Sequence, residues 1–294
     1  MQGVIIIDKS EGISSFSAVA KVRRLFGVEK AGHTGTLDPM ATGVLPVLIG
    51  RAVKASEFML TSEKHYLATL RLGITTDTED TSGKILTQTD IIPSEEEVLS
   101  AISSFVGDIM QIPPMYSALK VGGKKLYELA REGKEIKREA RKVTVKSILA
   151  KKITERDYSL EVLCSKGTYI RTLCQDIGSS LGCGGAMSSL RRLEAGGFTL
   201  DGAHTLDELS AMSEEERRSL VIPTERIFDN KRSVMLPDFF SRLAHSGLEI
   251  YLQKIGASLE VGELVKMYDK DGFFALGEVR MFDDGPAVKP IRQF

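Results

Sequence analysis

Metal-site spacing, disulfide density, long apolar runs and a strong net charge are all missing from this sequence, and each absence removes a class of function. The 294 residues hold three cysteines, four histidines, nine prolines and no tryptophan. Cys164, Cys174 and Cys183 lack metal-ligand spacing and are odd in number. That excludes a disulfide scaffold and points to a reduced, cytoplasmic chain. His33, His65, His204 and His245 are scattered, with no H-E-x-x-H pattern, so no metal is expected. So few prolines leave no room for a Pro-rich linker. No apolar run approaches the roughly 18 residues of a membrane span, so no membrane association is expected. The start, MQGVIIIDKSEG, has an apolar run of four residues and no basic flank, and is not expected to be a signal peptide. There is no G-x-x-x-x-G-K-[ST] phosphate loop, no G-x-G-x-x-G after the first strand and no G-x-S-x-G elbow. A nicotinamide cofactor is therefore not expected.

The rest of the composition, 42% hydrophobic and 27% charged, is that of an ordinary globular chain of one large or two modest domains. A net charge of −1 names no partner. Its distribution says more. Residues 76–108 carry eight acids and one base, whereas residues 117–152 carry twelve Lys/Arg and four Asp/Glu. A local excess of that size makes a positive potential at short range and fits a polyanion such as nucleic acid. It also fits a solvated helix face paired through Glu128, Glu132 and Glu135.

Along the chain, Val4–Ile7 reads as a buried strand, and Phe16, Val19, Val22 and Phe26 as a helix capped by Ser14 or Ser15 and ended by Gly27. Residues 31–50 read as a long loop leading into the apolar stretch Val44–Ile49. His65–Leu72 and Tyr158–Cys164 alternate as strands. Residues 75–83 form an acidic, Thr-rich loop. Capping boxes start helices at Ser94 and Thr205, and residues 124–131 read as a helix stopped at Gly133. Lys166-Gly167-Thr168 turns a strand into a helix bearing Ile170, Leu173, Cys174, Ile177 and Leu181. The polar stretch 211–233 places a domain boundary near 230. Beyond it the short runs Glu263–Tyr268, Phe273–Val279 and Ala287–Ile291 predict a small β-rich unit.

The chemistry concentrates in Gly32-His33-Thr34-Gly35-Thr36-Leu37-Asp38-Pro39. Asp38 in such a loop is either the opening of an Asx turn or a carboxylate nucleophile at an electrophilic carbon. A neighbouring arginine would keep it ionised by lowering its pKa.

GHTGTLDPMATGVLPVLIGRAVK, which contains Asp38, resembles the catalytic motif of the bacterial tRNA pseudouridine synthase B family. Three more blocks resemble that family in its order: VIIIDKSEGISSF, IPPMYSALKVGGKKLYELAREG, and KGTYIRTLCQDIG followed by LRR. The similarity covers about residues 1–205; residues 230–294 resemble a reduced PUA module. The chain departs from the family at Ser10, where Asp-Lys-Pro is usual, and at Met40, where Leu is common. The first frees a turn dihedral; the second is a near-isosteric swap.

The resemblance implies a mixed α/β (α+β) pseudouridine synthase fold with a largely antiparallel central sheet and a small C-terminal PUA-like β domain. It implies a catalytic domain over 1–230, with a basic RNA-contacting insert over about 105–142, and an RNA-binding domain over 231–294. The implied activity is isomerisation of uridine at position 55 in the T-arm loop of tRNA, by a cytoplasmic monomer without cofactor or metal. Asp38 takes the place of the nucleophilic aspartate, which acts by covalent attack or by proton removal. Tyr66 matches a tyrosine that stacks on the target base, Tyr169 one that lines the uridine pocket, and Arg171 an arginine paired with the aspartate. Leu190 matches an apolar pocket residue and His33 a histidine supporting the flipped nucleotide.

Such a reaction oxidises nothing and activates no water, and a base inside a folded loop must be extruded before it is worked on. Tyr66 and Tyr169 offer faces for it, and the Tyr66 phenol is a candidate relay for the C5 proton. The +8 segment would grip phosphates of the T-arm stem, with Arg191 and Arg192 adding to that surface. Two other readings are a synthase directed by a guide RNA and an RNA-binding folding factor for tRNA with secondary catalysis.

Overall fold

The computed structural model describes residues 1–59 and 62–294. Its large sheet is built from β1 (Gly3–Lys9), β2 (Ala31–His33), β3 (Thr42–Ile49) and β4 (Lys64–Leu72), then, after the small pair β5 (Ile74–Thr76) and β6 (Ile85–Gln88), from β7 (Gly107–Gln111). A two-residue hairpin, β8 (Lys120–Val121) and β9 (Lys124–Lys125), interrupts before β10 (Arg141–Lys152), β11 (Asp157–Cys164) and β12 (Gly185–Ala195) complete it. The order is β1-β3-β12-β4-β11-β10-β7. Every pairing is antiparallel except β3 with β12, which join in parallel at Thr42 and Gly43.

Burial explains which strands read as apolar runs and which alternate. In β1 and β3 both faces are covered. Ile5, Ile7, Leu45, Val47 and Ile49 enter the main core, while Val4, Ile6, Val44 and Leu48 pack with Met59 and Ala195 on the opposite side. A strand covered on both faces has no reason to alternate. β4 and β11 are covered on one face only. Tyr66, Ala68, Leu70, Tyr158, Leu160 and Val162 face the core, and Leu67, Arg71, Glu161 and Asp157 face outward.

The helices α1 (Ser15–Leu25), α3 (Glu95–Ser104), α5 (Ile170–Ser180) and α6 (Leu206–Ala211) close the inner face; α2 (Ser56–Met59) and α4 (Leu126–Arg131) are short. Ser14 caps α1 by accepting from the Ser17 N–H, as expected. The buried stripe of α1 is Ser15, Ala18, Val19 and Val22, with Phe26 just beyond the helix. Phe16 therefore falls off it and is 80% exposed, contrary to its expected place among the apolar residues. Gly178 of α5 sits so close to β12 that an added Cβ would lie 2.1 Å from the Gly185 nitrogen. Only glycine lets this helix approach its strand.

Three local expectations need correction. The long loop at 31–50 is shorter, because Ala31–His33 pairs with β3. Lys124 and Lys125 belong to the hairpin, not the helix. The polar stretch 211–233 contains α7 (Glu214–Ser219), started by a Ser213 capping box. Alternation carries no signal in so short and so charged a helix.

A second sheet follows: β13 (Arg232–Met235), β14 (Ile250–Tyr251), β15 (Leu264–Asp269), β16 (Gly272–Phe282) and β17 (Gly285–Gln293), in the order β13-β15-β16-β17-β14, with α8 (Asp238–His245) and α9 (Leu252–Ile255) against it. It docks on the large unit through Phe228, Leu276 and Phe294, which pack with Ala55 and Phe58. All three cysteines are free and buried. Among the described residues no helix is long and apolar enough to cross a membrane.

Candidate active site

Between β2 and β3 the chain runs through Thr34–Ala41, and its shape is imposed by neighbours rather than by its own ladder. The Ser15 hydroxyl donates to the Leu37 carbonyl (2.9 Å) and accepts from the Leu37 N–H (2.8 Å). The Gly12 N–H donates to the Pro39 carbonyl. Lys9 is fully buried, and its ammonium donates to the carbonyls of Ser10, Ile13 and Pro39 at 2.9, 2.8 and 3.2 Å. Three segments thus pin the residues on either side of Asp38. Ser15→Ala strips both backbone groups of Leu37 of their partner at a site that excludes water. The expected cost is about 1–3 kcal/mol or more, read as a lower melting temperature and a weakened turnover.

Asp38 presents its carboxylate to Arg171, with Nε–Oδ2 at 3.0 Å and Nη2–Oδ1 at 3.5 Å. Arg171 lies in the first turn of α5, and its side chain is 6% exposed against 34% for Asp38. The same guanidinium donates to the Thr78 carbonyl (3.0 Å) and the Tyr116 carbonyl (2.7 Å), and lies 3.7 Å from Asp80. One fork therefore joins four segments: the Asp38 loop, α5, the acidic loop and the stretch after β7.

The acidic loop contributes more than its sequence suggested. Asp80 is buried; one oxygen accepts from the hydroxyls of Thr78 and Ser82 and from the Ser82 N–H, and the other faces Arg171. Glu79 has φ 65°, the sole positive value among the described non-glycine residues, and its carboxylate accepts from the Thr172 hydroxyl at 2.5 Å. Sequence reasoning missed Lys9, Glu79, Asp80 and Gln111. The usable signal was the density of Asp, Thr and Ser over 77–82, residues that bond their own backbone and build rigid turns.

Tyr169 precedes α5 and is clamped by Gln111, whose side chain accepts from the Tyr169 N–H (3.0 Å) and donates to its carbonyl (3.2 Å). A cavity of about 310 Å³ beside it is lined by Arg141, Lys142 and Lys166 among others. Tyr66 and Leu190 lie on β4 and β12, each 8% exposed, in the same apolar cluster. His33 closes the base of the loop, where its Nδ1 accepts from the Gly35 N–H at 3.3 Å. Burial and then the charge of Arg192 hold its pKa below the ordinary value, so it stays neutral.

Arg171 does lower the Asp38 pKa, as expected, but burial outweighs it. The carboxyl is held above its ordinary value, with Asp80 adding to the rise and Lys9 opposing it. An acid whose folded pKa is raised binds its proton more readily folded than unfolded, so its burial penalty is relieved as pH falls. A reaction that needs the Asp38 anion loses rate as pH drops through that raised value. The acidic limb of kcat against pH is therefore expected above the ordinary carboxylate range, and Lys9→Met should move it higher still. Lys9 itself is pushed down to about 8 by burial. The unfolded chain then binds the extra proton between that pH and 10.5, so this group favours folding increasingly as pH rises across that window.

Arg191 and Arg192 do not form the expected phosphate surface. Arg191 is paired with both oxygens of Asp8 at 3.0 and 2.7 Å, and Arg192 is 1% exposed. Part of the basic segment is also neutralised. Lys124, Lys134, Arg138, Lys142, Lys146 and Lys152 each pair with a carboxylate.

The fold is that of a pseudouridine synthase. A chain of a solved Cbf5–Nop10–Gar1 complex matches it with a TM-score of 0.74 at 28% identity, over 99% of this chain and 84% of that one. An H/ACA RNP bound to a substrate RNA containing 2′-deoxyuridine matches equally, at 26% identity and the same coverage. The chain belongs to the TruB family of pseudouridylate synthases, whose N-terminal domain matches residues 23–170; the tRNA pseudouridylate synthase B C-terminal domain matches residues 171–229. That second segment supplies β12 and most of α5, so here it is part of the large sheet unit. The tRNA pseudouridine synthase B of Alkaliphilus oremlandii is 44% identical over 96% of this chain and 95% of its own, and that of Clostridium tetani 40% over 95% and 96%. The chain is an isomerase.

Proposed function

We propose that the chain converts uridine 55 in the T-arm loop of tRNA to pseudouridine, acting in the cytoplasm as a monomer on free tRNA. Asp38 is the carboxylate that meets the ribose of the extruded nucleotide, by attack at C1′ or by removing the proton at C2′. Arg171 orients it. Tyr66, Tyr169 and Leu190 enclose the detached uracil, and His33 supports the loop beneath the nucleotide. The uracil leaves through N1 and returns through C5, so no oxidant, reductant or activated water is required. The observation that carries this reading is the Asp38 carboxylate: one-third open and gripped by a buried arginine that lies two residues beyond the tyrosine preceding α5.

Release of tritium from C5-labelled uridine in unmodified tRNA, mapped to the nucleotide, tests reaction, substrate and position together. Release confined to position 55 is expected. No release, or release elsewhere, overturns the reading. A guide-selected substrate is the rival suggested by the Cbf5 likeness, and turnover of tRNA alone decides against it. End-to-end similarity to the tRNA enzymes favours the unguided reading.

Lys120, Lys125, Arg131, Lys137, Arg141, Lys151 and Lys166 form no ion pair among the described residues and are the candidate phosphate contacts. Affinity for tRNA is expected to fall as salt rises, with a log–log slope of roughly 0.7–0.9 per phosphate neutralised. A flat salt response in a binding titration removes this surface from the account. The fold's second sheet, over 232–293, is proposed as a further RNA-contacting unit of PUA type.

A further inference from the structure

Arg192 is among the largest fully buried side chains, yet no carboxylate lies within ion-pairing distance of it among the described residues. Its neighbour Arg191 takes Asp8 on the outer face. Burying a charge without a counter-charge is costly and persists only where its hydrogen bonds are filled. Those of Arg192 are. β2 and β12 share one edge of β3: β2 takes Val47–Ile49 and β12 takes Thr42–Gly43, which leaves Val44–Pro46 between them. The Arg192 Nε fills that gap, donating to the Val44 carbonyl at 2.7 Å. Its Nη2 donates to the Gly35 carbonyl in the Asp38 loop at 3.1 Å, and Arg192 stands directly opposite the buried Tyr66 across the β12–β4 ladder. Gly43 permits the approach, since its φ is +100° and an added Cβ would lie 2.2 Å from the Arg192 carbonyl.

We propose that Arg192 is a positioning residue for Tyr66, a single guanidinium that locks the Asp38 loop, the open edge of β3 and its cross-strand neighbour Tyr66 on β4 into one arrangement. The two carbonyls and the Tyr66 ring sit on three different elements. A planar fork with divergent N–H groups reaches them together; an ammonium on a flexible stem does not. The ionisable groups felt by Tyr66 are Arg192 from β12, Cys164 from β11 and Asp38 from its loop. Burial pushes the phenol up, and Arg192 is the group that opposes that rise most.

This inference rests on the role given above to Tyr66, and the test separates the two. In full-length protein carrying 3-fluorotyrosine, the Tyr66 resonance is identified by its loss in Tyr66→Phe. Arg192→Lys and Arg192→Gln are expected to shift that resonance, and Arg192→Gln, which removes the cation, to move its titration to higher pH. Identical resonance and titration in wild type and both variants overturn the inference. In turnover, Arg192→Lys is expected to lower kcat about 10- to 100-fold with KM little changed, but less than about threefold in a Tyr66→Phe background. Costs that multiply instead mark Arg192 as a scaffold for the loop alone and overturn it too. A fully active Tyr66→Phe enzyme overturns the reading of Tyr66 and this one with it, whereas an impaired Tyr66→Phe beside an unshifted resonance overturns this one only.

Discussion

Asp38→Asn is expected to end isomerisation and leave tRNA binding intact. The amide matches the carboxylate in size and still offers Arg171 an oxygen, so the loop held by Ser15, Gly12 and Lys9 has no reason to move. What is lost is the anion. A carboxamide neither attacks C1′ nor takes a proton from C2′, and the loss of a proton-transferring side chain typically costs about 100- to 10,000-fold. Because burial already disfavours the charge of Asp38, the melting temperature should change little. Binding, which depends on bases remote from residue 38, should stay within a few-fold. Tritium release and filter binding on the same preparation check both halves. The reading of this chain as a folding factor for tRNA makes the opposite forecast in cells: a phenotype of deletion rescued as well by Asp38→Asn as by wild type. Binding lost together with catalysis would assign Asp38 to the scaffold and not to the reaction.

Arg171→Met is expected to damage stability and turnover together. The arginine is buried, faces Asp38 and Asp80, and fills the carbonyls of Thr78 and Tyr116. Methionine keeps the volume but leaves two carboxylates facing each other and two carbonyls unfilled. Removing one member of a buried charged set costs about 3–5 kcal/mol. The melting temperature should fall by at least several degrees, since about 2–4 °C accompanies each kcal/mol in larger domains. With Asp38 no longer oriented, kcat should fall at least as far as for other misplaced catalytic groups, about 100-fold. Asp80→Asn added to Arg171→Met should recover part of the stability and none of the rate. Urea unfolding and tritium release on the single and double variants decide it; a stability loss unchanged by the second substitution means Asp80 does not sense Arg171.

How much of this was legible beforehand follows from what each signal depends on. β1, α1, β4, β11 and α5 were readable because periodicity, caps and glycine stops are local. The Asp38 loop stood out because its composition fits neither a strand nor a helix. Arg171 was placed beside Asp38 by resemblance, and the 3.0 Å contact agrees. Lys9 drew no reading and Arg192 was expected on the phosphate surface, since nothing local tells a buried cation from an exposed one. Their burial is set by loops and strands far away in sequence. The direction of the Asp38 pKa was misjudged for the same reason: a charge partner can be guessed from a motif, but the water excluded around it cannot. The basic segment was overestimated because its carboxylate partners, Asp108, Glu63 and Glu95, lie outside it.

The parallel join of β3 to β12 sets a schedule for making the enzyme. Thr42 meets Arg191 across 149 residues, and β12 is the strand that lies between β3, which follows the Asp38 loop, and β4 in the finished sheet. Contacts of such sequence separation form late. A nascent chain still short of residue 192 has most strands of the large sheet but lacks the residues that bridge β3 to β4. A polypeptide emerging from a ribosome crowded with transfer RNA is therefore expected to become competent to handle that RNA only once about two-thirds of its length has been made.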